Sequence, residues 1–162
     1  MTRKYSVSEV LQIGVEIEKN GRDFYQELVN LSDEEDAVKI FTYLADQESN
    51  HINAFKKMLD SIQDYGQQEV YPDEYFSYLS ELASEHVFTK ENKGKEAAAS
   101  VKTPVEAVDL GIKFEEDSIA LFEAMKKVVP LESQSVLDVL ISQEHGHLKD
   151  LSEIKEVLKL RE

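Results

Sequence analysis

The chain has 162 residues, 41% of them hydrophobic, with a formal net charge of −15 at pH 7 and no cysteine. Its length and apolar content suit one globular domain over 1–162 with a sizeable core. The acidic balance argues against nucleic acid or an anionic membrane surface as partner, and the missing thiols exclude disulfides, iron–sulfur clusters, thiolate zinc sites and thiol nucleophiles.

The opening residues, MTRKYSVSEV, hold no signal-type apolar run. No stretch reaches the ~18 apolar residues of a membrane span, so a soluble cytoplasmic protein is expected. Ser6 with Glu9 reads as a capping box that opens a first helix over 7–31. Its bundle-facing stripe is Leu11, Gly14, Glu18, Gly21, Tyr25 and Leu28. Ser32 with Glu35 gives a second capping box and a second helix over 33–64. The stripe there is Ala37, Phe41, Leu44, Glu48, His51, Phe55, Met58 and Ile62. The loop between them is short, so 7–64 should form an antiparallel hairpin.

Residues 65–103 make a long connection. DEYFSYLSELASEHVF within it reads as a shorter helix, and TKENKGKEAAAS as a polar, mobile stretch with nothing to bury. Thr103 with Glu106, and Pro104 at the first helical position, open a third helix over 104–128. Its stripe is Val108, Gly111, Glu115, Ser118, Phe122 and Met125. After a turn at Pro130, a fourth helix over 131–160 carries Leu137, Leu140, Glu144, His147, Leu151, Ile154 and Leu158. The fold class is all-α: a four-helix bundle of two hairpins, 7–64 and 104–160, joined by a long crossover.

Each stripe turns polar only in its middle. Glu18 lies fifteen residues before the first turn at Asp33 and Glu48 fifteen after it; Glu115 lies fifteen before Pro130 and Glu144 fourteen after. At ~1.5 Å per residue, each hairpin brings these residues to one level, roughly 22 Å from its turn. The hairpins also align with each other. GVEIEKNGRDFY matches GIKFEEDSIALF, and LADQESNH matches LISQEHGH. A duplicated hairpin with a pseudo-two-fold axis would gather four carboxylates and two imidazoles at mid-bundle.

Four carboxylates in an apolar core repel one another. Two divalent cations neutralise them, and a Glu/His donor set suits iron or manganese, with zinc possible. Glu-x-x-His at i, i+3 places both donors on one helix face, and one Glu from each of two helices plus that motif from each of the others is the di-iron bundle pattern. The competing readings are a solvated helix face and a metal-free buried polar network. Tyr25 fits either plain core or a hydrogen bond to a ligand or an oxidant. Gly21 and Ser118 match in the repeat and are small enough to leave room for a substrate. Gln47 and Gln143 also repeat, which helix packing explains equally well. His86 and His145 fall off the repeat and read as surface or loop histidines.

IEKNGRDFYQEL followed by LADQESNHINAF, then EEDSIALFEAM and ISQEHGHLKDL, resemble the rubrerythrin branch of the ferritin-like superfamily. The resemblance covers nearly the whole chain apart from 65–103. It implies a ferritin-like bundle and a non-haem di-iron centre, two iron ions held by Glu18, Glu48, His51, Glu115, Glu144 and His147. It also implies reduction of hydrogen peroxide or dioxygen, with the glutamates shifting between bridging and terminal binding and Tyr25 beside them. Rubrerythrins typically add a four-cysteine rubredoxin domain; with no cysteine here, electrons are expected from a separate rubredoxin-like protein. They also carry a further glutamate where this chain has Ser118, so a more symmetric site is expected, with both histidines bound in either oxidation state. The alternatives are a ferroxidase or iron-storage role as in ferritins, a di-manganese catalase-like site, and a non-catalytic metal-dependent module. A homodimer is expected.

Overall fold

The computed structural model describes residues 7–65 and 93–161. The regular elements among them are all helices: α1 (Val7–Leu31), α2 (Glu35–Tyr65), α3 (Lys93–Ser100), α4 (Pro104–Met125) and α5 (Leu131–Leu160). Ser6, the helix expected over 73–88 and His86 lie outside the described residues.

The helix ends show which local signals operate. Thr103 caps α4, its hydroxyl accepting from Glu106 N at 3.1 Å, while the Glu106 carboxylate accepts from Lys102 N at 2.9 Å. The capping box is therefore real, with its return bond one residue upstream of the cap. Ser32 behaves differently from expectation. Its hydroxyl donates back to Leu28 O at 2.6 Å and closes the end of α1. α2 starts two residues later than expected, with Glu35 and Asp36 in its first turn against the positive end of the helix. α4 stops at Met125, three residues early. Val128 N and Val129 N both bond Met125 O, which turns two buried valines into the core just before Pro130. Val129, the residue before Pro130, resists helical backbone, so α4 cannot run on unbroken into α5.

α1 packs along α2 and α4 along α5, as two hairpins. The pairs Lys126–Asp138 and Lys155–Asp109 clasp α4 to α5 toward both ends in antiparallel register. α2 also meets α5, and α1 meets α4. The contacts His51–Gln143 and Tyr43–His147 make α2 and α5 antiparallel. α2 and α4 consequently run the same way, and the connection between them must return along the bundle. Arg161 at the end of α5 reaches Glu34 and Asp36 at the start of α2. Its exposed charges add little stability.

The four stripes face inward as the periodicity predicts, each described member buried. Phe55 packs against Phe122 at 5.3 Å between ring centroids, and Tyr25 lies over Phe41 at 6.3 Å. These aromatic layers sit on either side of the polar middle. Burying such a ring contributes about 1.5–3 kcal/mol, and the layers shut the middle of the bundle off from water.

The expectation of a polar, mobile stretch before α4 is corrected. Residues 93–100 form α3, docked on α1 with Gly94 and Ala98 buried. Gly94 N donates to the side-chain oxygen of Asn20 at 3.1 Å. A Cβ on Gly94 would stand 1.9 Å from the Asn20 carbonyl oxygen, so backbone meets backbone there and only glycine fits. This sets two effects against each other in Gly94→Ala. Alanine favours a helix by about 1 kcal/mol, but a clash with fixed backbone costs roughly 1–3 kcal/mol or more. The clash should win. Urea unfolding of Gly94→Ala should show net destabilisation, and an unchanged or raised midpoint would mean that α3 does not depend on this contact.

Candidate metal centre

Glu18 comes from α1, Glu48 and His51 from α2, Glu115 from α4, and Glu144 and His147 from α5. All six side chains are buried, the four carboxylates at 0% exposure and the histidines at 1% and 2%. The solvated-face reading of these residues is thereby removed. His145, one residue from a predicted ligand, is exposed as expected.

The donors form two overlapping groups of four. One is Glu18, Glu48, His51 and Glu144; the other is Glu48, Glu115, Glu144 and His147. Within each group the donor atoms lie within 4.8 Å of one another. Glu48 and Glu144 belong to both, and each divides its oxygens between them. Nδ1 of His51 is 2.8 Å from Glu144 Oε1, 3.3 Å from Glu18 Oε2 and 3.6 Å from Glu48 Oε2. Nδ1 of His147 is 3.3 Å from Glu144 Oε2, 3.6 Å from Glu115 Oε1 and 3.7 Å from Glu48 Oε1. The two imidazoles stack, 5.6 Å apart and 18° from parallel.

Around this cluster the pseudo-symmetry is incomplete. Tyr25 donates its hydroxyl hydrogen to Glu115 Oε1 at 2.7 Å. Of the two readings open for Tyr25, the hydrogen bond to a predicted ligand is the observed one. The residue matching Tyr25 in the second repeat is Phe122, so Glu18 has no equivalent donor. The room expected beside Gly21 is already taken. The Phe114 ring lies so close that a Cβ on Gly21 would stand 2.4 Å from it. A further participant went unrecognised in the sequence. Gln143 Oε1 lies 2.8 Å from His51 Nε2. The only signal for it was the repeat of Gln47 and Gln143 directly before the two Glu-x-x-His motifs.

Charge is the dominant problem here. Burial, and then the Glu144 charge, push the Glu18 carboxyl up to about 7. Burial works against a charged His51, but the Glu18 charge and the contacts with Glu144 and Glu18 prevail and raise it to about 11. Burial would also raise Glu144, yet its contacts with His147 and His51 hold it below the usual carboxylate range. Burial followed by the Glu144 and Glu18 charges drives the Tyr25 phenol well above its ordinary value, so it remains a donor. Both oxygens of Glu18 and of Glu48, Glu115 Oε2, Glu144 Oε1, His51 Nδ1 and His147 Nε2 have no hydrogen-bond partner among the described residues. Orphaned buried lone pairs facing one another fit a pair of metal ions, and the all-oxygen-and-imidazole donor set fits iron or manganese.

Metal and proton compete for the same atoms. His51 Nδ1 must be a lone pair to ligate, and Glu18 must be a carboxylate. With His51 near 11 and Glu18 near 7, the metal-free protein at neutral pH holds a proton on His51 and a partly occupied one on Glu18. Binding a divalent ion should therefore release protons, and affinity should rise with pH. Calorimetric titration with zinc in two buffers of different ionisation enthalpy would measure the number released. Heats independent of buffer would contradict this account of the cluster.

The comparisons agree with the geometry. The family model described as rubrerythrin matches residues 9–155, a span that holds all six buried donors. No curated protein matches. A crystal structure from Thermotoga maritima, described as a ferritin-like diiron-carboxylate protein, is 29% identical to this chain. It superposes with a TM-score of 0.67, covering 96% of this chain and 98% of that one. The all-helical bundle is of the ferritin-like kind, and the chain belongs to the rubrerythrin family.

Proposed function

We propose that this protein is a non-haem di-iron oxidoreductase that reduces hydrogen peroxide, or dioxygen, with electrons from an external rubredoxin-like donor. The observation that carries the reading is the sharing of Glu48 and Glu144 between two four-donor groups in a dry core. The related structure described as a diiron-carboxylate protein supports iron as the metal. Two ferrous ions supply the two electrons that turn peroxide and two protons into two waters, and they act as Lewis acids.

The chain's own residues do the rest. Glu18, Glu48 and His51 would hold one ion with Glu144, and Glu115 and His147 the other with Glu48 and Glu144. The aromatic layers, Phe55 with Phe122 and Tyr25 with Phe41, exclude bulk water, which strengthens each electrostatic contact inside. Tyr25 keeps its proton on the hydroxyl and holds Glu115 in place. Electrons have to come from outside these residues, because none of them is a cysteine and the cluster is walled by hydrocarbon.

Anaerobic iron loading followed by dithionite reduction and stopped-flow mixing with peroxide tests the proposal. Fast reoxidation, consuming one peroxide per reduced pair, is expected. His51→Ala and His147→Ala should each slow it at least ~100-fold, the scale of losing a group made for the reacting centre. His145→Ala should leave it unchanged. Reoxidation no faster than that of free ferrous iron would end the proposal, and oxygen release from peroxide without any donor would indicate a catalase instead.

A further inference from the structure

The two histidines face the cluster in the same way but are held differently on their outer sides. His51 Nε2 is 2.8 Å from Gln143 Oε1. An amide oxygen accepts only, so the ring carries its hydrogen on Nε2 there. In the neutral imidazole this leaves the lone pair on Nδ1, the atom aimed at Glu18, Glu48 and Glu144. One hydrogen bond thus selects the ligating tautomer and fixes the plane of the ring. His147 has no such support: its Nε2 is buried with no hydrogen-bond partner among the described residues. Gln47, the repeat counterpart of Gln143, does not reach it. The ring of Tyr43 stands edge-on beside His147 instead, 6.2 Å away and 86° from parallel. The residue matching Tyr43 in the repeat is Val139, which offers no ring to His51.

We propose that Gln143 is a positioning residue for His51, and that it makes the two metal positions unequal by strengthening the position that contains His51. This rests on the reading of the cluster as a two-metal centre. Gln143 itself touches no reacting atom. It acts through the imidazole, from an exposed place on α5 where truncation removes no core packing.

Cobalt(II) alone, followed by its visible absorption, is the probe, applied to the full chain and to Gln143→Leu, Gln143→Glu and Gln47→Leu. The wild type should bind two equivalents in two resolved steps. Gln143→Leu should weaken one of the two steps by ~10-fold or more, the scale on which a partner behind a metal-bound histidine acts. Gln143→Glu keeps an acceptor and should restore that step, while Gln47→Leu should leave both as they were. A second readout is independent of affinity. In the zinc-loaded protein the His51 Nε2–H should appear as a slowly exchanging nitrogen-bound proton by NMR, absent in Gln143→Leu and present in Gln143→Glu. Equal affinity for both equivalents in the wild type, a loss of less than about twofold in Gln143→Leu, or an equal loss in Gln47→Leu would overturn the inference while leaving the metal centre standing. A wild-type chain that takes up no cobalt would overturn both.

Discussion

Mutual repulsion among four carboxylates at the centre of the bundle is the constraint to which the rest of the molecule answers. Each of Glu18, Glu48, Glu115 and Glu144 is fully withdrawn from water. A buried, unpaired polar atom costs on the order of 1–3 kcal/mol, and a whole domain is stable by only about 5–15 kcal/mol. A cluster this large could not persist on hydrophobic burial alone without positive charge in its midst. In the metal-free chain that charge is the His51 proton, while partial protonation of Glu18 lessens the repulsion. Two metal ions do the same work with four charges, and they satisfy the orphaned oxygens directly. The metal-free polar network and the metal centre are therefore two states of one site.

The helices are arranged to make that exchange possible. Antiparallel hairpins bring the α1 and α2 residues to one level and the α4 and α5 residues to that same level. Because α2 and α4 run in the same direction, the hairpins meet around a pseudo-two-fold axis rather than stacking side by side. Each Glu-x-x-His then faces its twin across the α2–α5 seam. This is why Glu48 and Glu144 can each give one oxygen to either half while Glu18 and Glu115 serve one half only. The phenylalanine layers hold the levels fixed, and Gly14 shows how closely they pack: a Cβ there would stand 2.4 Å from the Phe55 ring.

Most of this was legible because it repeats at helical spacing. Stripe membership depends on position along one helix, and the duplicated segments gave the heights independently. What failed to read out depends on competition between partners, most of them distant in sequence. Ser32 has the residues of a cap, but Leu28 O competes for its hydroxyl, and no local pattern decides between them. KGKEAAAS looks unburiable until Gly94 meets the backbone of Asn20, 74 residues away. The space at Gly21 looks open until Phe114 arrives from another helix. Gln143 was visible as a repeated residue, yet its role depends on which helix faces α5 and at what register.

The repeat also misleads in one instructive respect, for it argues that the halves are equivalent. The six donor residues do obey it, because a two-metal centre demands matched ligands on both sides. Their supports have been free to diverge. Tyr25 fixes Glu115, whereas Phe122 gives Glu18 nothing to bond; Gln143 fixes His51, whereas Gln47 leaves His147 unsupported. The two supports fall on opposite halves, so each half has one donor held by a hydrogen bond from outside the cluster and one without such a bond. The held histidine faces the free carboxylate Glu18, and the held carboxylate Glu115 faces the free histidine His147. Asymmetry in this centre therefore resides in what stands behind the ligands, and the ligand set itself remains balanced.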